Sequence, residues 1–255
     1  MQGPALDRYI NTFAIRSFRD TADRDYVHAR LAYRSRLIQQ FQWSSLHCLE
    51  KYAKGILLLN RIPAKKLRHQ VSGALSLLTD SDRFSIELSD AAREFVNELE
   101  FGAEFRYYEV SYHSQPYDIM RLDLAVSELR RYCQVLAWAS ESRPSCEVAL
   151  QASLQRIRAA QESNSRDTCI VSGWLEQVIR DRKHPARLAL LWQNLYFGPS
   201  SRKSVRLRAY EEAGNSPMDM HPFLLDEVLR YIYFPPRLVK EWRLEIARRE
   251  REGAA

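Results

Sequence analysis

The chain has few of the residues that interrupt helices. It contains 8 glycines and 10 prolines in 255 residues, which argues against a fold rich in strands and turns. No run approaches 18 uninterrupted apolar residues, so we expect no transmembrane helix and no membrane partner. The first residues, MQGPALDRYINTF, contain no basic stretch followed by an apolar core. We therefore expect no signal peptide and a cytoplasmic protein.

Metal-binding and cofactor-binding motifs are also missing. Cys48, Cys133, Cys146 and Cys169 lie far apart without CxxC spacing, so the sequence predicts neither a zinc site nor a disulfide framework. We interpret these cysteines as small buried residues in a reducing compartment. The chain has no P-loop and no GxGxxG, HExxH or GxSxG motif. We expect no cofactor and no metal.

Apolar residues recur instead at helical spacing. Between Asp25 and Asn60 there is no proline, and apolar side chains recur at steps of three, four and seven. This pattern predicts one long α-helix, with Thr21 or Asp23 as a plausible N-cap. Further helices are predicted at about 64–79, 89–101, 117–140, 146–160, 170–181, 186–196, 222–234 and 237–250. No convincing alternating strand pattern is present, so the predicted fold class is all-α.

The break at Ser142-Arg143-Pro144-Ser145 suggests a division of the chain. We predict a helical bundle with an N-terminal arm over residues 1–143. Residues 144–255 would form a basic helical extension.

Positive charge is concentrated in one segment. Residues 180–208 contain eight Lys and Arg residues and a single acid, Asp181. The net charge of this segment is +7, against +6 for the whole chain, so the rest is close to neutral. Such a local excess can act as an electrostatic footprint for a polyanion.

Aromatic residues lie among these basic residues. Trp192, Tyr196 and Phe197 fall between the two clusters of positive charge, a composition that single-stranded or phosphate-bearing ligands favour. The alternative is that the aromatics belong to the core and the arginines form a solvated face. The candidate anion-binding residues are Arg182, Lys183, His184, Arg187, Arg202, Lys203 and Arg206.

Residues 20–140 resemble the HEPN superfamily of small helical bundles. The resemblance begins with Ala22-Asp23 and Asp25-Tyr26, and continues through Phe41 into SLHCLEKYAKGILL at 45–58. That segment looks like the family signature A-x-Q-A-x-E-K-x-L-K-A-x-L-L. The following KKLRH at 65–69 resembles the family's K-T-H-D-L-x-x-L helix start. The resemblance implies an antiparallel bundle, a homodimer and a role in bacterial defence or stress.

The resemblance also implies candidate catalytic residues. Many HEPN proteins are metal-independent ribonucleases with an arginine and a histidine near the start of the last bundle helix. Here Arg106 would hold the scissile phosphate and His113 would transfer protons. Residues 105–112 equally resemble the Arg-Tyr segment of non-catalytic HEPN subunits. A structural alternative is an arginine hydrogen-bonded within an aromatic loop.

A second basic group precedes the next predicted helix. Lys65, Arg68 and His69 could combine with helix N-terminal amides to hold an anion. The alternative is a histidine that orients the corner between two helices. The sequence thus leaves three functions open: an endoribonuclease, a non-catalytic module that binds RNA, a nucleotide or a partner protein, and a structural dimer.

Overall fold

The computed structural model describes residues 4–65, 67, 69–81, 84–102, 111–136, 144–162, 171–198, 203–206 and 212–253. Contacts along the chain group into two units. Unit 1 comprises Met1–Ala103 and Pro116–Arg208, and unit 2 comprises Glu104–Gln115 and Ala209–Ala255. The division predicted at 143/144 stays a prediction, because residues 137–143 lie outside the described ranges.

Helices make up most of both units, which confirms the all-α fold class. Among the described residues of unit 1, helix α1 is followed by a π-helical turn, Ala14–Arg19, and then by eight further helices. Their bounds are α1 Pro4–Phe13, α2 Asp20–Arg34, α3 Ile38–Leu59, α4 Val71–Thr79, α5 Asp90–Gly102, α6 Asp118–Arg130, α7 Pro144–Glu162, α8 Trp174–Arg180 and α9 Arg187–Leu191.

The prediction of a single helix over residues 25–60 is wrong. The chain turns back at Arg36, whose φ is 59°, so α2 and α3 form an antiparallel hairpin. The rings of Tyr33 and Phe41, near the turn, lie 5.1 Å apart. Tyr52, much further along α3, donates its hydroxyl to Asp23 at 2.6 Å. The reversal lets the apolar faces of α2 and α3 bury one another. The free energy of this burial outweighs the cost of the left-handed conformation at Arg36, which is about 1–2 kcal/mol.

Other helix bounds also differ from expectation. Helix α4 begins at Val71 rather than 64, and α6 ends at Arg130 rather than 140, although Leu136 beyond it remains buried. Asp23 is not an N-cap, because it is fully buried inside α2. Ser89 caps α5, since its Oγ accepts from the amide of Ala92 at 3.3 Å.

The core of unit 1 surrounds α3. Leu49 and Ile56 on this helix are completely buried. Most of the apolar faces predicted for the neighbouring helices are buried as well, which confirms the periodicity that predicted them. These buried side chains include Val71, Ala74, Leu75, Leu78, Phe95, Val96, Leu99, Ile119, Leu122, Ala125, Val126 and Leu129.

The described part of unit 2 contains two short strands and a small core. Strand β1, Tyr112–Ser114, pairs antiparallel with β2, Glu212–Gly214, so that His113 lies opposite Ala213. Three residues are too few to produce an alternating pattern, which is why the sequence did not predict these strands. Phe234 packs edge-on against Trp242 with ring centroids 5.1 Å apart. The core side chains are Met218, Leu225, Phe234, Leu238 and Trp242.

The helices of unit 2 are α10 Pro217–Met220, the 3₁₀ turn Pro222–Leu224, α11 Leu225–Val228 and α12 Pro236–Gly253. The helix predicted over 222–234 is therefore much shorter than expected, whereas the C-terminal helix is confirmed. Among the residues described in either unit, no helix is long and apolar enough to cross a membrane.

Candidate polyanion-binding surface

Buried ion pairs hold the segment 171–198 against α2 and α6. The guanidinium of Arg130 bonds both Asp23 oxygens, at 2.7 and 3.0 Å, and both Glu176 oxygens, at 2.6 and 2.9 Å. All three side chains are at most 5% exposed. Gly173 lies directly against this group, because a Cβ there would be 3.0 Å from Arg130 Nη2. A side chain at this position would require the buried guanidinium of Arg130 to shift by a few tenths of an ångström.

A second buried group fixes the same segment further along. Arg30 pairs with Asp123 and donates to the carbonyls of Ala189 and Trp192. Tyr26 donates to Asp123 at 2.6 Å and accepts from Asn194 at 2.8 Å. Burial raises the pKa of the Asp123 carboxyl, although Arg30 acts in the opposite direction. Burial likewise raises the pKa of Tyr26 well above its ordinary value, so the hydroxyl stays protonated as a donor.

The outer side of this junction carries stacked cationic and aromatic groups. The guanidinium of Arg24 lies 4.9 Å from the ring centre of Trp174. Trp174 in turn meets His184 edge-on, with ring centroids 5.6 Å apart. Arg34 lies over Trp192 at 5.2 Å. Because the buried pairs hold the segment 171–198 in place, the rings of Trp174 and Trp192 have fixed positions against α2.

Four of the predicted basic residues are exposed: Arg182 and Lys183 directly precede His184, and Lys203 and Arg206 belong to the segment that Arg206 joins to Gln193. Arg182, Lys183, Lys203 and Arg206 have no ion pair with any described residue. Backbone contacts order their loops instead: Lys183 N donates to Asp181 Oδ1 at 2.9 Å, and Arg206 N to Gln193 Oε1 at 3.1 Å. The basic surface is defined here as Arg24, Trp174, Arg182, Lys183, Lys203 and Arg206.

The remaining predicted residues of this segment have structural contacts or are not described. Arg187 is half-buried and donates to the carbonyl of Ile179 at 3.0 Å. His184 Nδ1 accepts from the amide of Ala186 at 3.1 Å, so this histidine caps the turn before α9. Arg202 lies outside the described ranges.

The residues predicted to be catalytic are not both described. His113 lies exposed in β1, whereas Arg106 falls within 103–110, outside the described residues. Whether the two converge therefore stays a prediction.

The second predicted anion site is partly described. Lys65 is exposed, Arg68 lies outside the described residues, and His69 approaches α3, where its Nδ1 is 3.2 Å from Glu50 Oε1. Glu50 also holds Lys54 at 2.6 Å. In the part of the chain that is described, no group of three His, Cys, Asp or Glu side chains could hold a metal ion.

Sequence reasoning missed Arg24 and Trp174. These residues are 150 positions apart, and only folding brings them together. Trp174 could have been found by extending the search for aromatics upstream of the basic run at 180–183. Nothing in the α2 sequence distinguishes Arg24 from Arg34, the other exposed arginine of that helix.

Comparisons of the chain with protein-family models, curated proteins and solved structures find no match. The chemistry of the basic surface therefore has to indicate what it binds.

Proposed function

We propose that this protein binds RNA, and that the basic surface contacts the phosphates and bases of a single strand. The observation that carries the proposal is a fixed aromatic ring, Trp174, with exposed cations nearby in the chain that have no acidic partner in the described structure. Charge alone would fit any polyanion, whereas charge beside an aromatic ring suits nucleic acid.

Unpaired cations are the ones available to phosphates. A lysine or arginine already paired with a carboxylate must break that pair before it can neutralise a ligand. Lys183 and Arg206 have no such pair with a described residue, so they can release counterions from RNA without an internal cost. By contrast, most arginines of α12 are paired, as Arg248 is with Glu245 at 2.7 Å.

Aromatic and guanidinium planes favour unpaired bases. Trp174 is half-buried, and Arg24 lies against its face. Exposed bases of a single strand can stack on such planes, with about 1–3 kcal/mol contributed by each stacked base. Bases in a duplex are already stacked on one another and cannot do so. We therefore expect a preference for single-stranded over duplex RNA.

The test is binding of a short labelled single-stranded RNA, followed by fluorescence anisotropy. We expect R182Q/K183Q/K203Q/R206Q to weaken binding by at least about tenfold. A matched control, R230Q/R237Q/R243Q/R251Q, removes the same charge from exposed positions in unit 2. Equal weakening by both variants would show that only net charge matters, and would contradict a specific surface.

Endoribonuclease activity through Arg106 and His113 is the second candidate. It is supported by the resemblance of residues 20–140 to HEPN proteins, which also implies a homodimer. A HEPN protein that lacks the activity would still be a binding module, so RNA binding is the proposal common to both.

A further inference from the structure

Two arginines of α2 each cover a tryptophan of the segment 171–198. The guanidinium of Arg24, near the start of the helix, lies 4.9 Å from the ring centre of Trp174. Arg34, the last residue of α2, lies 5.2 Å from the ring centre of Trp192. Both rings are half-buried, and neither indole N–H has a hydrogen-bond partner among the described residues. The first platform is defined here as Arg24 with Trp174, and the second platform as Arg34 with Trp192.

Separate buried contacts fix the two platforms. Glu176, two residues after Trp174, pairs with the buried Arg130 of α6 at 2.6 Å. The carbonyl of Trp192 itself accepts from Arg30, whose side chain is fully buried. Both rings therefore keep their positions without a ligand, which lowers the entropy cost of binding one.

Each platform has exposed cations beside it. His184 meets the ring of Trp174 edge-on, with centroids 5.6 Å apart, and two exposed cations directly precede it. Gln193 follows Trp192, and its Oε1 accepts from the amide of Arg206 at 3.1 Å. The cations are Arg182 and Lys183 for the first platform, and Arg206 with Lys203 in the same segment for the second. Each platform thus combines a flat surface for a base with positive charge for a phosphate.

Helix α2 sets the spacing of the platforms. Arg24 and Arg34 are ten residues apart on one continuous helix, so about 15 Å of helix separates them. Between them, the exposed side chains of His28 and Leu31 continue the same face of α2. Nucleotides of a stacked strand rise by about 3.4 Å each, so this separation corresponds to about four steps, or about five nucleotides.

We infer that one RNA strand occupies both platforms, with a base on each and the strand running along the exposed face of α2. This arrangement rests on the RNA binding proposed above and adds to it a minimum length of ligand. A strand that reaches both platforms gains affinity, because its second base binds at a high effective concentration. A dinucleotide can occupy only one platform at a time. RNA of about five nucleotides or more should therefore bind much more tightly than a dinucleotide.

The test is a series of oligouridylates of two, four, six and eight nucleotides, titrated into the full-length protein in a calorimeter. Uridines stack weakly on one another, so their bases are available to the platforms. We expect the affinity to rise by at least about tenfold between two and six nucleotides, and only slightly beyond six. An even rise with every added nucleotide would show that phosphate charge alone sets the affinity, and would overturn the two-platform arrangement.

Tryptophan variants test the two platforms one at a time. Trp174→Leu and Trp192→Leu should each weaken binding of the hexanucleotide by at least about fivefold. For the dinucleotide, at least one of these variants should stay within about twofold of the wild type, because the other platform still binds it. Trp174→Phe and Trp192→Phe keep a ring and should retain the affinity for the hexanucleotide. Trp43→Leu, at an exposed ring on α3, is the matched control and should leave binding unchanged.

The outcomes separate this arrangement from the proposed function. If the wild type binds no oligouridylate, RNA binding itself fails, and the two-platform arrangement fails with it. If the hexanucleotide binds but Trp192→Leu does not weaken it, RNA binding stands and the two-platform arrangement is overturned. The arrangement is equally overturned if both leucine variants weaken the dinucleotide as much as the hexanucleotide.

Discussion

Arg130 and Asp23 are joined by two hydrogen bonds in the interior of unit 1, from Nε to Oδ1 at 2.7 Å and from Nη2 to Oδ2 at 3.0 Å. The residues are 107 positions apart. Asp23 also accepts from Tyr52 at 2.6 Å, and Arg130 continues to Glu176 at 2.6 Å. One guanidinium therefore connects α2, α6 and α8, and the basic surface depends on this connection.

Removing the Asp23 carboxylate should destabilise the protein strongly. Asp23→Ala leaves Arg130 with one partner in a buried site, and breaking such a buried pair costs about 3–5 kcal/mol. The measurement is the free energy of unfolding in urea. Glu87→Ala serves as the control, because it breaks an exposed pair with Arg158 and should cost about 0.2–1 kcal/mol. Similar losses in the two variants would show that the buried pair contributes no more to the free energy of unfolding than an exposed pair does.

The reversal at Arg36 predicts an unusual tolerance for glycine. Arg36 has a φ of 59°, a conformation that costs other residues about 1–2 kcal/mol and glycine nothing. Arg36→Gly should therefore leave the free energy of unfolding unchanged or higher. Glu94→Gly, at an exposed position inside α5, should lower it by about 0.5–1 kcal/mol. Equal losses at the two positions would mean that residue 36 is helical, as the single-helix prediction required.

His47 should make stability depend on pH. Burial is the largest of the influences that lower the pKa of this imidazole. Between the lowered pKa of the folded state and about 6.5, the ordinary value for histidine, the unfolded chain binds more protons than the folded one. Stability contributed by neutral His47 is therefore present above pH 6.5 and is lost as the pH falls through the folded value. Chemical denaturation from pH 8 to 5 should show this loss, and His47→Gln should reduce it. An unchanged pH dependence in His47→Gln would exclude this role.

Regular helices could be predicted from the sequence, whereas the reversal between α2 and α3 could not. Helix α5 has a serine cap and a clean apolar period, and its predicted bounds differ from the observed ones by one residue. The turn at 35–37 contains neither glycine nor proline. Apolar residues recur at helical spacing on both sides of the turn, because α2 and α3 each bury an apolar face. The reversal is visible only in the folded chain, in the packing of Tyr33 on Phe41 and in the hydrogen bond from Tyr52 to Asp23.

The candidate site could likewise be predicted only in part. The charge of Arg182, Lys183, Lys203 and Arg206 is visible as a local run, so the sequence predicted these residues. Trp174 belongs to the surface because Glu176, two residues later, is drawn to a buried arginine of α6. A contact of this kind joins residues that are far apart in the chain, so it cannot be predicted from composition.

The salt dependence of RNA binding tests the central claim most directly. For single-stranded RNA the slope of log K against log salt is about −0.7 for each phosphate neutralised, so R182Q/K183Q/K203Q/R206Q should flatten the slope by about 3. The control R230Q/R237Q/R243Q/R251Q should keep the wild-type slope. Identical slopes for wild type and the first variant, at whatever affinity, would contradict phosphate binding by the basic surface.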